Sequence, residues 1–168
     1  ADSNGTPCAA LALECADGSL QSYVTGLLEL YRTTGGQQHI VALVEVLEAA
    51  ASKLSAAHSA DVFLGDVKLM NMLTFGGPGG SVEVRLCDFG GAKAVALHPS
   101  ECQWDLCLGC HTWSTDDLVI TERYEQPERR WARKQSSRVE ARAFDCWGLF
   151  ASIWEALDLP RWPSTARC

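Results

Sequence analysis

The sequence predicts an α+β domain that is mainly helical and carries small β-hairpins. Apolar residues recur at three- and four-residue spacing in three separate stretches, which is the pattern of helices with a buried face. Apolar and polar residues alternate on both sides of a glycine-rich run at residues 76–80, which is typical of a β-hairpin. The length of 168 residues allows one domain with a hydrophobic core.

Composition and charge exclude several classes of partner. Hydrophobic residues make up 47% and charged residues 21% of the chain, which indicates a globular domain and not a disordered one. The net charge of −7 argues against nucleic acid, because phosphate binding needs an excess of Lys and Arg. The most apolar windows, such as residues 39–47, are too short for a membrane span. The eight cysteines lack a compact disulfide spacing and no secretory signal is evident, so a cytoplasmic location is expected.

The first helix is predicted to follow Ser19, a favourable N-cap residue, and to end near Gly35-Gly36. The second helix, at residues 39–57, has one continuously apolar face and is predicted to lie at the centre of the core. The residues expected on the buried faces of these two helices are Leu20, Tyr23, Val24, Leu27, Leu28 and Tyr31 in the first, and Ile40, Leu43, Val44, Leu47, Ala50, Ala51 and Leu54 in the second.

A third helix is predicted at residues 139–157. Its large apolar residues lie on most of its sides, so the helix should be buried nearly all round. Asp145 falls in its first turn, where burial is costly unless the carboxylate accepts hydrogen bonds from backbone donors. The apolar residues that define the surface are Phe144, Trp147, Phe150, Ile153, Trp154 and Leu157.

Short strands are predicted between these helices. The apolar run at residues 8–15 and the pair Val62-Phe63 fit buried strands, and the hairpin has arms at residues 70–73 and 82–86. Its glycine-rich turn lacks the Lys-Ser/Thr of a phosphate-binding P-loop and is interpreted as an exposed tip. Residues 92–120 show little periodicity, and residues 160–168 are interpreted as a loose tail.

The hairpin brings together residues that could hold a metal-bound phosphate. Asp66 and Asn71 lie at the start of one arm, and Asp88 follows the other arm. Carboxylate and amide oxygens are the ligands that Mg²⁺ prefers. The sequence therefore indicates a site for a metal and a phosphate at the open end of this hairpin.

Five segments, in order along the chain, resemble the motifs of the protein kinases of Ser/Thr type. Asp66 to Asn71 resembles the catalytic loop D-x-K-x-x-N, and Asp88-Phe89-Gly90 is the D-F-G motif. Thr121-x-x-Tyr124-x-x-Pro127-Glu128 resembles the end of the activation segment, with Gln126 where the family usually has Ala. The start of the third helix, Asp145-x-Trp147-x-Leu149, resembles the buried helix of the family's large lobe, and residues 11–20 resemble its hinge.

The resemblance implies a kinase-like α+β fold of which this chain holds only the C-terminal lobe. The predicted partial kinase domain covers residues 8–157, from the hinge strand to the buried helix, and residues 158–168 form the tail. Upstream of Cys8 there is no glycine-rich phosphate loop and no strand lysine, so the N-terminal lobe is expected to be absent. We expect little phosphotransfer activity from the chain alone for that reason.

The implied activity is transfer of a phosphoryl group from Mg-ATP to a Ser or Thr hydroxyl of a protein substrate. In the family's chemistry Asp66 orients the acceptor hydroxyl and takes its proton, while Lys68 neutralises charge on the transferred group. Asn71 completes the catalytic loop, and Thr121 supports that loop around the acceptor residue. The alternative function is a non-catalytic binding module of pseudokinase type.

The cofactors that the resemblance implies are ATP and Mg²⁺. Asn71 and Asp88 are the implied metal ligands. Leu73 would lie under the adenine ring, and the backbone of Glu14 and Ala16 would hydrogen-bond the adenine edge. The sequence departs from the family at Leu64-Gly65, where His-Arg is usual, so the usual arginine clamp on a phosphorylated activation loop is missing.

Three other features remain open at the sequence level. Cys107 to His111 fits the C-x-x-C-H haem pattern, but haem attachment needs export. Cys102, Cys107, Cys110 and His111 could form a zinc site, although unligated cysteines in a loop are the favoured interpretation. The basic run at residues 123–142 is interpreted as a solvated face, and His39 and His58 as helix-end residues.

Overall fold

The computed structural model describes residues 13–76, 80–95, 102–105, 110–114, 121, 124, 126 and 138–159. Over these residues the chain is mixed helix and sheet, as an α+β class requires. The helices are α1 (Leu20–Thr34), α2 (Gln37–Ser59) and α3 (Ala141–Ala156). The strands are β1 (Gly18–Ser19), β2 (Val62–Phe63), β3 (Met72–Gly76), β4 (Val82–Leu86), β5 (Lys93–Ala94), β6 (Cys102–Asp105), β7 (Cys110–Ser114) and β8 (Arg138–Glu140), with short 3-10 helices at Leu69–Asn71 and Phe89–Gly91.

Helix α1 begins and ends at the residues that the sequence predicts. The hydroxyl of Ser19 accepts a hydrogen bond from the backbone N–H of Ser22 at 3.2 Å, which satisfies one of the free donors of the first turn. Gly35 ends the helix in the left-handed conformation, with φ of 65°, and donates its N–H to the carbonyl of Tyr31 at 2.8 Å. Both predicted ends of α1 are therefore confirmed.

Helix α2 buries a narrower stripe than the spacing of its apolar residues predicts. The buried residues are Leu43, Val46, Ala50, Leu54 and His58. The prediction that Val44 and Ala51 are buried is wrong: both are exposed, and Val44 has 58% of its surface accessible. Helix α2 contacts mainly helix α1 and strand β4. Each residue turns the helix by about 100°, so Val44 and Ala51, each one residue beyond a buried position, lie beside the buried stripe and not in it.

The predicted hairpin forms a three-stranded antiparallel sheet in the order β1-β3-β4. Its pairing runs from Met72 opposite Leu86 to Gly76 opposite Val82, so the glycine-rich segment connects the strands as expected. The first arm begins later than predicted, because Met70 lies in a 3-10 turn with 57% of its surface exposed. Strands β2 and β5 form a separate antiparallel pair.

The predicted strand at residues 8–15 is wrong over the residues that the structure describes. Residues 13–15 are exposed and lack regular structure, and Leu13 is 78% accessible. Strand pairing starts instead at β1, where Ser19 lies opposite Leu73. Residues 8–12 and the predicted tail at 160–168 lie outside the described residues.

A third antiparallel sheet, in the order β6-β7-β8, lies partly in the segment that shows little periodicity. Strand β7 pairs with β6 close to it in sequence and with β8 from the start of the last helix. Each strand has five residues or fewer, which is too short for a clear alternation pattern. Periodicity in the sequence therefore does not reveal this sheet.

Helix α3 buries one face, which carries small, polar and large apolar residues, and leaves part of its aromatic surface accessible. The buried residues are Ala141, Phe144, Asp145, Gly148, Leu149 and Ser152. Phe150, predicted to be buried, is 42% exposed and lies between the rings of Trp147 and Trp154, with ring centroids 5.9 and 5.6 Å away. The buried face has a glycine at position 148 because the chain at Val67 crosses the helix closely there. A Cβ added to Gly148 would lie 2.5 Å from the Val67 carbonyl oxygen.

The three helices and the first sheet enclose one apolar core. Its buried members include Leu20 and Val24 of α1, Ala50 and Leu54 of α2, and Val84 of β4. Among the described residues, no helix combines the length and the apolar character needed to cross a membrane.

Gly148→Ala tests the close crossing of α3 and Val67. We expect the variant to lower the free energy of unfolding by about 1–3 kcal/mol, because the added methyl group meets a backbone atom that cannot move independently. Chemical denaturation followed by circular dichroism measures the change.

Gly26→Ala in α1 is the matched control, because a Cβ there has no neighbour within 4 Å. Alanine at this helical position should raise stability by about 0.5–1 kcal/mol. Equal stability changes in the two variants would contradict the close crossing.

Candidate functional site

Asp145 holds the start of the loop that carries Asp66. Its side chain is fully buried and accepts hydrogen bonds from the backbone N–H groups of Leu64 and Gly65, at 2.8 and 2.9 Å. The sequence predicts that a buried Asp145 needs backbone donors, and the structure confirms them. The donors come from residues about 80 positions earlier in the chain.

His58, predicted only as a helix-end residue, is the third partner of Asp145. Its Nε2 lies 2.9 Å from Asp145 Oδ2, and the histidine is only 7% exposed. Oδ2 also accepts the backbone N–H of Leu64, so the contact with His58 is a hydrogen bond when the ring carries its proton on Nε2. A signal was present: His58 continues the buried stripe of α2 four residues after Leu54.

Gly65, one of the two residues that depart from the expected His-Arg, has a conformational role. Its φ is 79°, a left-handed value that glycine adopts without steric cost. This turn lets successive N–H groups, those of Leu64 and Gly65, reach the two oxygens of one carboxylate.

Ser152 holds the other end of the same loop. Its hydroxyl accepts the backbone N–H of Leu69 at 3.2 Å and donates to the carbonyl of Leu149 at 2.9 Å. Asp145, Gly148 and Ser152 lie three and four residues apart, so they share one face of α3. That face holds the loop from residue 64 to residue 69.

The loop presents a connected group of polar side chains around Asp66. Lys68 Nζ donates to Asp66 Oδ2 at 2.6 Å and to the Thr121 hydroxyl at 2.9 Å. The Thr121 hydroxyl donates to Asp66 Oδ1 at 2.8 Å, although it lies 55 residues away in the chain. Asn71 Nδ2 donates to the Asp66 backbone carbonyl at 3.0 Å and to Asp66 Oδ2 at 3.3 Å.

These contacts keep Asp66 ionised. Partial burial alone would raise the pKa of Asp66, but hydrogen bonds from Lys68 and Thr121, the charge of Lys68 and the amide of Asn71 outweigh it. The net effect is a pKa below the ordinary 3.8. Asp66 is therefore a hydrogen-bond acceptor at neutral pH.

Asn71 and Asp88 lie at the same end of the β3–β4 hairpin, as the sequence predicts. Met72 pairs with Leu86, and the backbone N–H of Cys87 donates to the carbonyl of Asn71 at 2.9 Å. Asp88 is the next residue, exposed and left-handed with φ of 58°. Because the Asn71 amide nitrogen bonds to Asp66, its side-chain oxygen is the atom that remains for a cation.

The predicted adenine-contacting residues are arranged around the first sheet. Leu73 lies in the middle strand, opposite both Ser19 and Arg85, and is half-buried. The backbone N–H of Asp17 donates to the carbonyl of Thr74 at 2.9 Å, which sets the segment containing Glu14 and Ala16 beside the same sheet.

Two of the possible zinc ligands, Cys102 and Cys110, lie on neighbouring strands. Cys102 pairs with Trp113 and Cys110 with Asp105, so the two cysteines lie at opposite ends of the β6–β7 ladder. That is roughly 10 Å along the strands. Among the described residues no three His, Cys, Asp or Glu side chains form a metal-binding group, and Cys107 lies outside them.

Comparison with known proteins gives no relative. No protein-family model matches the chain, and no curated protein matches it.

Asp145→Asn tests the anchoring of the loop. The amide has one acceptor oxygen, so its NH₂ group must face a donor N–H in the buried site. We expect the free energy of unfolding to fall by about 3 kcal/mol or more. Chemical denaturation measures the change.

Asp158→Asn is the control for that substitution, because it removes the same charge from an exposed residue. Asp158 has φ of 52°, which asparagine also adopts readily. If the two variants are equally stable, Asp145 does not anchor the loop.

Thr121→Val tests the hydrogen bond that lowers the pKa of Asp66. Without the hydroxyl the carboxylate loses a donor, so the pKa of Asp66 should rise. The ionised Asp66 stabilises the fold above its unfolded-state pKa, and this stability is lost as pH falls through the lowered folded-state pKa. The variant should therefore unfold at a higher pH than the wild type during acid titration.

NMR titration of the Asp66 carboxyl carbon measures the pKa directly. Thr121→Ser keeps the hydroxyl and should keep the lowered pKa. An Asp66 pKa that is the same in all three proteins would show that Thr121 does not act on this carboxylate.

Proposed function

We propose that this chain carries the acceptor and metal side of a phosphotransfer site of protein Ser/Thr kinase type, using ATP and Mg²⁺. The observation that carries the proposal is the Thr121 hydroxyl, which joins Asp66 and Lys68 from a distant part of the chain. An aspartate that only caps a turn needs neither a lysine nor a distant hydroxyl on its carboxylate oxygens. A carboxylate that must keep one orientation towards a substrate needs such additional donors.

Asp66 has room for one more hydrogen bond. An ionised carboxylate has about four lone-pair positions. Lys68, Thr121 and Asn71 donate to three of them. The remaining position suits a donating hydroxyl, so Asp66 would orient the Ser or Thr hydroxyl of a substrate and accept its proton.

Lys68 would stabilise charge on the group being transferred. Its side chain is 16% exposed, so most of it is shielded from water while its ammonium group stays beside Asp66. A partly shielded positive charge interacts more strongly with an anion than a solvated one. Its bonds to Asp66 and Thr121 fix its position before substrate arrives.

The donor set at the open end of the hairpin fits Mg²⁺. The Asn71 side-chain oxygen and the Asp88 carboxylate are hard oxygen ligands, and two protein ligands are a common number for Mg²⁺ bound together with phosphates. When bound, the ion supplies charge neutralisation to the phosphate groups. Asp88 is exposed and available for this role, and its left-handed backbone is a type of strain often found at functional sites.

The adenine of ATP would lie on the outer face of the β1-β3-β4 sheet, which is the face that carries Leu73 and points away from the apolar core. Leu73 offers an apolar side chain for the ring, and Glu14 and Ala16 offer backbone groups for its edge. Within the described residues the backbone N–H groups of Glu14 and Ala16 donate to no other group, so they can hydrogen-bond a ligand.

A second candidate is a binding module of the same fold without catalysis. The observation that favours it is the exposure of Phe89, which leaves 55% of its surface accessible beside Asp88. An exposed aromatic ring next to a possible cation site could serve as a contact for a protein partner.

Phosphotransfer from radiolabelled ATP to a Ser/Thr peptide library tests the proposal. Any transfer should require Mg²⁺ and fall at least about 100-fold in Asp66→Asn, because that variant cannot accept the hydroxyl proton. Asp88→Asn should weaken Mg-ATP binding but leave binding of ATP in EDTA nearly unchanged. Asp158→Asn is the control for removal of a charge.

The outcomes separate the two candidates. Slow transfer that is lost in Asp66→Asn would support the phosphotransfer site, because the chain alone is expected to have little activity. Mg-dependent ATP binding with no transfer above the Asp66→Asn background, even after long reaction times, would favour the binding module. Transfer that is unchanged in Asp66→Asn, or a wild type that binds no ATP, would reject the phosphotransfer site.

A further inference from the structure

The outer face of the first sheet places Arg85 next to the proposed adenine position. Arg85 in β4 lies directly opposite Leu73 in β3, and residues opposite each other share one face of a sheet. The alternate residues, including Met72 and Val84, face the core and are buried. Arg85 and Leu73 are therefore neighbours on the side that faces away from the core.

Arg85 is fixed by three kinds of contact. Its Nε and Nη2 donate to the two carboxylate oxygens of Glu83 at 2.9 and 3.0 Å, and its Nη1 donates to Glu14 Oε2 at 2.5 Å. Its guanidinium carbon lies 4.2 Å from the centre of the Phe75 ring. A forked contact combined with stacking sets the plane of the guanidinium group, which a single ion pair cannot do.

Phe75 shows that the arginine covers part of the sheet. The ring is on the same outer face as Leu73, two residues away along β3, yet only 8% of Phe75 is exposed. The stacked guanidinium contributes to this burial. Arg85 is thus packed onto the sheet beside Leu73 even though part of its side chain reaches solvent.

Glu14 connects this arginine to the segment before β1. The Glu14 side chain is 63% exposed, so burial does not hold it in place. Among the described residues, Arg85 is the hydrogen-bond partner of Glu14. The next contact of the segment with the sheet is the Asp17 N–H bond to Thr74. The Arg85–Glu14 contact is therefore a side-chain link between residues 13–16 and the face of the sheet that carries Leu73.

We infer that Arg85 is a positioning residue for the adenine base. It braces residues 13–16 through Glu14, so that the backbone of Glu14 and Ala16 meets the adenine edge while Leu73 contacts the ring. We call Arg85, Glu14, Glu83 and Phe75 the Arg85 brace. This inference rests on the proposed function, because it assigns a role at the same nucleotide site.

The brace does not act by attracting phosphate. One guanidinium charge faces the carboxylates of Glu14 and Glu83, so the local charge is not positive. Three of the five arginine N–H donors already have carboxylate partners. An effect on binding should consequently appear with adenosine, which carries no phosphate and needs no metal.

Adenosine affinity, measured by calorimetry, tests the inference. Arg85→Met keeps an apolar stem over Phe75 but loses the fork, and we expect roughly three- to fivefold weaker binding, the range of an exposed ion pair. Glu14→Gln should weaken binding by a similar factor. The double variant should bind adenosine about as tightly as the single variant with the lower affinity, because both substitutions remove the same Arg85–Glu14 contact.

Two further variants sharpen this measurement. Arg85→Lys keeps the charge without the fork and should restore part of the affinity. Arg32→Met removes an exposed arginine at the end of α1 and should leave adenosine affinity unchanged. High salt should weaken adenosine binding in the wild type more than in Arg85→Met, because exposed ion pairs are screened.

Amide hydrogen exchange of residues 13–17 measures the brace without any ligand. Exchange should be faster in Arg85→Met than in the wild type and in Arg32→Met. If the wild type binds adenosine while neither affinity nor exchange changes in Arg85→Met, the brace is rejected and the proposed function stands. If Arg85→Met weakens ATP binding but not adenosine binding, the arginine acts on phosphate and the inference is rejected.

Failure of the proposed function gives a different result. In that case the wild type binds neither adenosine nor Mg-ATP, and both the proposed function and the role of Arg85 towards adenine are rejected. Faster exchange in Arg85→Met would then show only a structural brace.

Discussion

The candidate site depends on the hydrogen bonds that the buried carboxylate of Asp145 makes. This carboxylate joins three parts of the chain: the end of α2 through His58, the loop through Leu64 and Gly65, and α3, to which it belongs. A buried carboxylate costs free energy unless donors surround it, so these partners hold one another in a single arrangement. The loop that carries Asp66 and Lys68 begins at that anchor.

Two rigid supports then define the site from opposite sides. Helix α3 holds the loop at both ends, through Asp145 and Ser152, and the register of β3 and β4 holds Asn71 close to Asp88. Asn71 connects the two supports, because its side chain bonds to Asp66 while its carbonyl accepts from Cys87. Sites built on such elements keep precise geometry better than sites on unsupported loops, as positioning of a reactive hydroxyl requires.

The features predictable from sequence are those that depend on neighbours in the chain. The ends of α1 follow from Ser19 and Gly35, and the hairpin follows from alternation around glycines. The bond between His58 and Asp145 spans 87 residues, so the helical stripe of α2 indicates that His58 is buried but not which residue it contacts. The β6-β7-β8 sheet was missed because its strands are short and one partner is distant. The roles of Asp66, Lys68, Asn71 and Asp88 in phosphotransfer stay a prediction, carried by a resemblance and a compatible geometry.

The contacts between α3 and the loop at residues 64–69 have a consequence for how this sequence can change over evolution. The helix contacts the loop through backbone groups: the N–H groups of residues 64, 65 and 69 and the carbonyl of Val67. Backbone atoms are common to all residues except proline at the N–H. The hydrogen bonds of the anchor therefore do not depend on the side chains at residues 64, 65 and 69, provided that the left-handed turn at Gly65 is kept. Burial restricts Leu64, Val67 and Leu69 to apolar residues, but it does not require particular ones. The backbone position of Asp66 can therefore be kept while the sequence of the loop changes.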